Sequence, residues 1–481
     1  MLPRYHLILS ASLTATAALA GCSGSDSPTQ PPGPPSGSKC TTNCNSVLSG
    51  NIAQNRTLYK DTVYTLSGYV KVQSGAKLTI QPGTRVVGDT TVTGSSLWIL
   101  RGAQIDAQGT ADAPIVFTSA RSPGNRKPGD WGGIIIVGNG FINRTANPIY
   151  TEGPQNGVAE NYAGGSNFND NSGVLKYVRI EFAGYDVSNG QGQELNAISS
   201  YAVGRGTTYD YVQAIGGLDD SFEFWGGAVD IRHMVSYESG DDHYDWTEGY
   251  SGRGQYLIAL QTTVLQPRSG SGTVSSDPRG FEGDGCEIDK AGCTFANKPY
   301  SMPVWANFTV IGPGAGVFAT TDGNGAVIRR GAGATFVNGV IGRWPGYAVS
   351  LRDPESEALR AVDSVMFRNV TLAENGNTFD PVAPTAKTPT FGANLNTPAA
   401  NFTLATGSAA SLFTSLNTAS LDFTPSATAS IRNSGMASFP ASIANRVTGY
   451  FGASMQGTTY AGAADPNGPK WWQGWTAYYQ N

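Results

Sequence analysis

Short apolar runs recur along most of this chain. Each is rich in β-branched and aromatic residues and bounded by Gly, Asn, Asp or Ser, as in Lys77–Ile80, Leu97–Leu100, Ile115–Thr118, Ile134–Val137 and Tyr177–Phe182. Such runs, with turn residues at close intervals, predict strands. No sustained 3.6-residue periodicity occurs before residue 400, so no helix is expected there. Residues 209–226 and 231–248 align at a spacing of 22. Asp220, Ser221, Phe222, Glu223, Phe224 and Trp225 fall on Asp242, His243, Tyr244, Asp245, Trp246 and Thr247. Large aromatics thus match large aromatics at alternating positions, as strands stacked in register require. Glu194–Ala197 fits as the strand one coil earlier, with Leu195 and Ala197 inward. Phe281-Glu282 continues the series after an insertion at Gln266–Gly280. Repeats of roughly 20 to 50 residues signal solenoids. The predicted class is all-β, a parallel β-helix, with a sandwich or propeller as the competing architectures.

Composition narrows the picture. The 481 residues include 62 glycines, and only 14% are charged, which does not suit coiled coils or helical bundles. With 40% hydrophobic and 10% aromatic residues and a net charge of −5, the chain is not of the disordered class. Lys and Arg number 31 against 36 Asp and Glu, so nucleic acid is not an expected partner. The strands are expected to span residues 46–383. Residues 384–447 are rich in Ala, Ser, Thr and Asn, with Ser408–Leu416 read as one short helix. Residues 384–481 are read as an irregular cap over the open end, because a terminal coil exposes unpaired strand edges. The tail aromatics Trp471, Trp472, Trp475 and Tyr478 are expected to pack back on the body, with a sugar platform as the alternative.

The phrases IQPGT (80–84), LRGAQIDAQGT (100–110), APIVFTS (113–119) and GDWGGIIIVGNG (129–140) occur in this order. They resemble the opening coils of secreted bacterial right-handed parallel β-helix proteins. The resemblance continues more loosely through Tyr177–Gly184 and Asp219–Tyr250. The closing GPKWWQGWT (468–476) is similar to the termini of envelope lipoproteins of this kind. The resemblance implies a right-handed coil and an envelope location, and carries no established activity.

Residues 1–21 begin with Arg4 and His6 and continue into an apolar stretch, Leu7 to Ala20, too short to span a bilayer as a helix. This reads as a signal peptide. Its end, Leu19-Ala20-Gly21-Cys22, resembles a bacterial lipobox, which implies cleavage before Cys22 and lipidation of that thiol. Ser23 in place of Asp would then favour the outer membrane, with Cys22 as the membrane anchor. Residues 22–45 form a Gly/Ser/Pro-rich tether, stiffer through Pro31–Pro35. In an oxidising compartment the other four cysteines are expected to pair locally, Cys40 with Cys44 and Cys286 with Cys293. Zinc is the competing reading, weakened by the lack of nearby His.

Candidate chemistry lies in the acidic residues. Asp219, Asp220, Glu223, Asp241, Asp242, Asp245 and Glu248 cluster within thirty residues. The 22-residue register sets Glu223 beside Asp245, both outward if the neighbouring aromatics face in, with Asn196 before them and Glu282 after. Rungs stand roughly 4.8 Å apart, so ionised carboxylates there repel, and either a cation neutralises them or a carboxyl takes up a proton. Calcium suits the pattern, taking about six to eight hard oxygens in flexible geometry; Asp241, Asp242, Asp245, Glu223 and Glu282 are the candidate ligands. Asp284 and Glu287 lie close by, without EF-hand spacing.

Three readings compete. The column is structural, held by calcium or by hydrogen bonds. Or it binds a glycan or an outer-membrane protein, with Asn196, Asp219 and Asp220 as polar contacts and Trp225, Tyr250 or Trp246 as stacking surfaces. Or the chain is a polysaccharide lyase or glycoside hydrolase. Glu223 and Asp245 would then be the reacting pair, His243 a proton shuttle, and Arg232 or Arg253 would polarise a uronate. Against these roles, Trp246 has the parity of a core residue and His243 that of a surface ladder. The mature chain would hold only His233 and His243, which excludes the usual multi-His metal sites.

Overall fold

The computed structural model describes residues 45–479, apart from 155, 319–322, 382–390 and 396–401. Cys22, Cys40 and Cys44, with the leader and most of the tether, lie outside the described residues. The chain winds as a right-handed parallel β-helix. It alternates between two sheets, and every pairing within both is parallel. In the first sheet, Gly173–Glu181, Thr208–Ile215, Asp230–Tyr237, Arg253–Leu260, Val304–Ile311, Ala334–Gly342 and Val365–Ala373 follow one another. In the second, Ile198–Tyr201, Phe222–Trp225, Tyr244–Thr247, Arg279–Asp284, Asn324–Arg329 and Tyr347–Leu351 do so.

The long strands of the first sheet bend near their middle. Tyr177, Tyr211, His233, Tyr256, Asn307, Asn338 and Asn369 all have φ between 49° and 64°. One left-handed residue turns the strand and breaks its period-2 alternation. Gly173–Glu181 therefore pairs with two separate earlier strands, its first half with Gln104–Gln108 and its second with Ile115–Ser119. The coil thus presents three faces. Rings at the bend stack from coil to coil, Tyr177 on Tyr211 at 4.3 Å and Tyr211 on His233 at 4.2 Å.

The expected 22-residue register is present. Phe222, Glu223, Phe224 and Trp225 pair with Tyr244, Asp245, Trp246 and Thr247, and Tyr244 and Asp245 pair with Phe281 and Glu282. Phe222, Phe224, Tyr244, Trp246 and Phe281 fill the interior, with Phe222 stacked on Tyr244 and Tyr244 on Phe281, both at 5.4 Å. Each coil buries its rings only against its neighbours, as a solenoid does.

Four expectations are corrected. The strand one coil before Phe222 is Ile198–Tyr201, not Glu194–Ala197; Glu194-Leu195 pairs antiparallel with Tyr185-Asp186. A helix does occur before residue 400, Pro354–Ala361, started by the Asp353 carboxylate accepting from the Ser356 N–H and by Pro354 in its first turn. Ser408–Leu416 holds only the 3₁₀ turn Ala409–Leu412, after which Phe413–Ser415 pairs with Asp422–Pro425. Parallel pairing also continues past residue 383, where Phe402–Leu404 joins Val370–Leu372.

The tail packs along the outer face of the first sheet. Outward-facing Ile215, Val235, Tyr237, Ile258, Leu260, Ile311 and Val340 form one buried cluster with Leu412, Phe413, Phe423, Ile431, Trp472 and Trp475. The tail also reaches back to early coils: Arg179 donates to the Trp475 carbonyl at 3.2 Å, and Gln213 exchanges hydrogen bonds with Ala477. Trp472 and Trp475 are buried, which leaves them no face for a sugar platform.

Candidate functional site: a buried acidic column

The column forms at the turns leading from the first sheet into the second. Asn196, Asp220 and Asp242 occupy equivalent turn positions. The Asn196 side-chain oxygen accepts from the Asp220 N–H (3.1 Å), the Asp220 carboxylate from the Asp242 N–H (2.8 Å), and the Asp242 carboxylate from the Arg279 N–H (2.6 Å). Each side chain thus ties its turn to the next coil. Asn196 belongs to this ladder and not, as expected, to the Glu223–Asp245 row. The residue in register before Glu223 is Ser199. Asn196 nevertheless reaches that row, donating to Glu223 Oε2 at 2.5 Å.

Beside the ladder stand Glu223, Asp245 and Glu282, one per coil. They point outward from the core yet are covered, with Glu223 7% and Asp245 9% exposed. Three groups, Asp219–Asp220–Asp241, Asp220–Glu223–Asp245 and Asp242–Asp245–Glu282, each bring one oxygen per residue within 4.8 Å of the others. Asp220 and Asp245 belong to two groups each, so the sites form a continuous row.

Cations meet this row mainly at one end. Arg279 is paired with Asp242, Asp277 and Glu282, Arg329 with Glu282 and Asp284, and Arg330 with Asp284 and Glu287. Burial pushes Asp284 up, but Arg329 and Arg330 outweigh it and hold the carboxyl below its usual range. Farther along the row, burial and repulsion outweigh what the cations offer, even at Asp242 beside Arg279. Burial, followed by repulsion from neighbouring carboxylates, holds Asp219, Asp220 and Asp245 well above the ordinary value, and burial followed by Glu152 does the same for Glu223. Burial and then Asp241 raise Asp242 well above it too, and burial pushes Asp241 to about 7. Asp245 Oδ1 and Asp241 Oδ1 are buried without a hydrogen-bond partner.

Groups that no local pattern announces complete the surroundings. Glu152, from the long excursion after Val137, is pushed up to about 8 by burial and adds repulsion at Glu223 and Asp219. Lys290 sits 4.5 Å from the Trp225 ring centroid and attracts Glu223 and Glu152. Its loop is closed by the Cys286–Cys293 disulfide, the pairing expected from the sequence. Glu248 accepts from Tyr162 at 2.7 Å and pairs with Arg144, away from the metal-competent groups.

Several expected contacts lie elsewhere. Tyr250 is wholly buried, donating to the Val229 carbonyl, and Trp246 is core, so neither ring can stack on a sugar. Trp225 is buried against Tyr201 and under Lys290. His243 is no surface residue. Its Nδ1 meets Ser236 Oγ at 2.5 Å, and burial drives it down to about 3, so it stays neutral and is a poor proton shuttle. Arg232 and Arg253 lie on the first sheet, paired with Asp210 and Asp230.

A family model described as a pectate-lyase-like β-helix domain matches residues 50–420. The chain belongs to this family. No curated protein and no solved structure matches it. The matched span of the β-helix domain contains the whole acidic column. Chemically, the column offers hard oxygen donors only, in excess over its guanidinium groups and partly without donors of their own. That set fits calcium.

Proposed function

We propose that this protein is a lipid-anchored surface β-helix whose acidic column binds calcium, and that it serves as a recognition scaffold for a glycan or an outer-membrane partner. The observation that carries the calcium reading is Asp245. Its carboxylate is nine-tenths buried, accepts no hydrogen bond at Oδ1, and stands one rung from both Glu223 and Glu282. An ionised carboxylate so placed is costly unless a cation meets it. Calcium at Asp242, Asp245 and Glu282, and at Asp220, Glu223 and Asp245, would neutralise the row and join successive coils.

Binding suits this column better than glycan cleavage. Glu223 and Asp245 are covered, and the nearby arginines are each held by carboxylates. After chelation and dialysis, the protein is expected to take up calcium saturably in isothermal titration. Asp245→Asn should cut the affinity at least tenfold, and Glu223→Gln should weaken it less. Screens for reducing sugars and unsaturated uronates should stay flat. Absence of calcium uptake would remove the metal reading, and turnover lost in Glu223→Gln would replace it with the enzyme.

The anchor rests on the lipobox-like Leu19–Cys22 and the Gly/Ser/Pro tether behind it. Cys22→Ala is expected to move the protein from the membrane pellet to the soluble fraction and to abolish labelling by a fatty-acid analogue. Unchanged partitioning would contradict the anchor.

A further inference from the structure

A cavity of about 190 Å³ lies on another part of the molecule, outside the acidic column. Its lining includes Phe182, Ile215, Val264, Leu265 and Tyr479, with Arg126 and Lys127 beside them. It exists because of one glycine. Glu181, Ile215 and Tyr237 are in register on successive coils, so Phe182, Gly216 and Glu238 stack at the turn that follows. All three are left-handed, with φ of 60°, 57° and 58°. Phe182 and Glu238 carry side chains in this conformation, whereas Gly216 leaves a gap between them. A Cβ there would meet only the Phe182 ring, at 3.4 Å.

The surroundings carry surplus positive charge. Arg85, Arg121, Arg126, Lys127 and Arg179 gather near three acids, of which Asp130 is paired with Arg121 at 3.3 Å and accepts from the Lys127 N–H at 3.0 Å. Glu181 is paired with Arg179 at 3.0 Å and lies 3.7 Å from Arg126. Glu238 accepts from the Thr262 hydroxyl and from the backbone N–H groups of Thr262 and Thr263. Among the described residues, the Arg85 and Lys127 side chains have no hydrogen-bond or ion-pair partner. Burial and then the nearby Arg126 hold the Arg85 guanidinium below its usual value, against the opposite pull of Glu181.

We propose that this cavity binds a small single-ring carboxylate, the ring against Phe182, Leu265 and Tyr479 and the carboxylate toward Lys127 and Arg126. The volume falls below the roughly 300 Å³ of drug-sized sites, which limits the occupant to one ring. More than half apolar by its side chains, the lining favours an aromatic or alicyclic ring over a sugar. Because the walls come from three coils, the 263–266 segment and the tail residue Tyr479, an occupant would also tie the tail to the body.

The test uses calcium-saturated full-length protein with benzoate as probe and benzyl alcohol as its neutral counterpart, read by saturation-transfer NMR and isothermal titration. Benzoate is expected to bind saturably, at least tenfold more tightly than benzyl alcohol. Lys127→Gln should weaken it about fivefold. Gly216→Asn should abolish it, because Asn tolerates the left-handed backbone and its side chain fills the gap. Neither variant should change the melting temperature without ligand by more than a few degrees. Equal binding of benzyl alcohol, no saturable benzoate binding, or benzoate binding unchanged in both variants would overturn the proposal. Should Gly216→Asn fail to fold, the Lys127→Gln comparison decides by itself.

Discussion

With calcium chelated, the protein is expected to lose stability steadily as the pH rises from about 5 to 8, and added calcium should restore it most at the alkaline end. The sign follows from the raised carboxyls. In the unfolded chain they would titrate near pH 4. In the folded, metal-free protein, burial and mutual repulsion hold Asp219, Asp220, Glu223, Asp242 and Asp245 well above that, Asp241 at about 7 and Glu152 at about 8. The folded state therefore binds the extra protons. The stability they contribute is fully present below pH 4 and is lost as pH climbs through the folded values. Calcium replaces those protons, so its uptake releases them and its affinity falls in acid. At a free concentration a hundred times the dissociation constant, one ion adds about 2.7 kcal/mol. Asp245→Asn separates this account from general destabilisation. Without metal at pH 8 it should raise the melting temperature, because a repelling buried charge is gone. With calcium it should shrink the gain. Melting curves across pH, with chelator and with calcium, test both signs. A metal-free melting temperature that rises from pH 5 to 8 would contradict the repulsion, and one indifferent to calcium would contradict the metal.

Truncation after Leu404 should yield a protein that aggregates and binds hydrophobic dyes strongly, although its coils up to that point are complete. The reason is the stripe of Ile215, Val235, Tyr237, Ile258, Leu260, Ile311 and Val340, which faces outward and packs against the tail. An exposed continuous apolar strip of this kind drives association. Trp472 and Trp475 are among the side chains that cover it. Large aromatics bury roughly 150–250 Å² each, about 4–6 kcal/mol apiece at roughly 25 cal/mol/Å² and an upper bound for the extended-chain reference. The milder Trp475→Ala should cost about 3–5 kcal/mol and loosen the early coils, since Trp475 packs edge-on against Tyr177 and Tyr211. Size-exclusion chromatography, dye binding and thermal melts provide the readout. A monomeric, dye-silent truncation would show that the tail is dispensable and the stripe tolerates water.

What could be read from the sequence was whatever repeats at coil length. Phe222 over Tyr244 and Phe224 over Trp246 announce stacked rungs, because inward positions must match in size and parity to fill a continuous core. The same register aligns Glu223, Asp245 and Glu282, so the acidic row was legible as a row. Its partners were not. Asn196 belongs to another column because the register of its coil lies three residues later than the pattern suggests, with Ser199 in its place, which shifts every side chain in the coil. His243 has the parity of a surface residue and is buried for a related reason: it precedes its strand, at a turn where alternation does not hold. The bends at Tyr177, Tyr211 and His233 require φ above zero at residues that seldom adopt it, and stacking across coils is what holds them there. Glu152, Lys290 and the three arginines arrive from excursions and later coils, and insertion length carries no record of where a loop folds back. Sequence by itself thus determined the repeat and the charges it aligns. Only the tertiary structure decided that the column is covered, because covering depends on contacts between segments far apart in the chain.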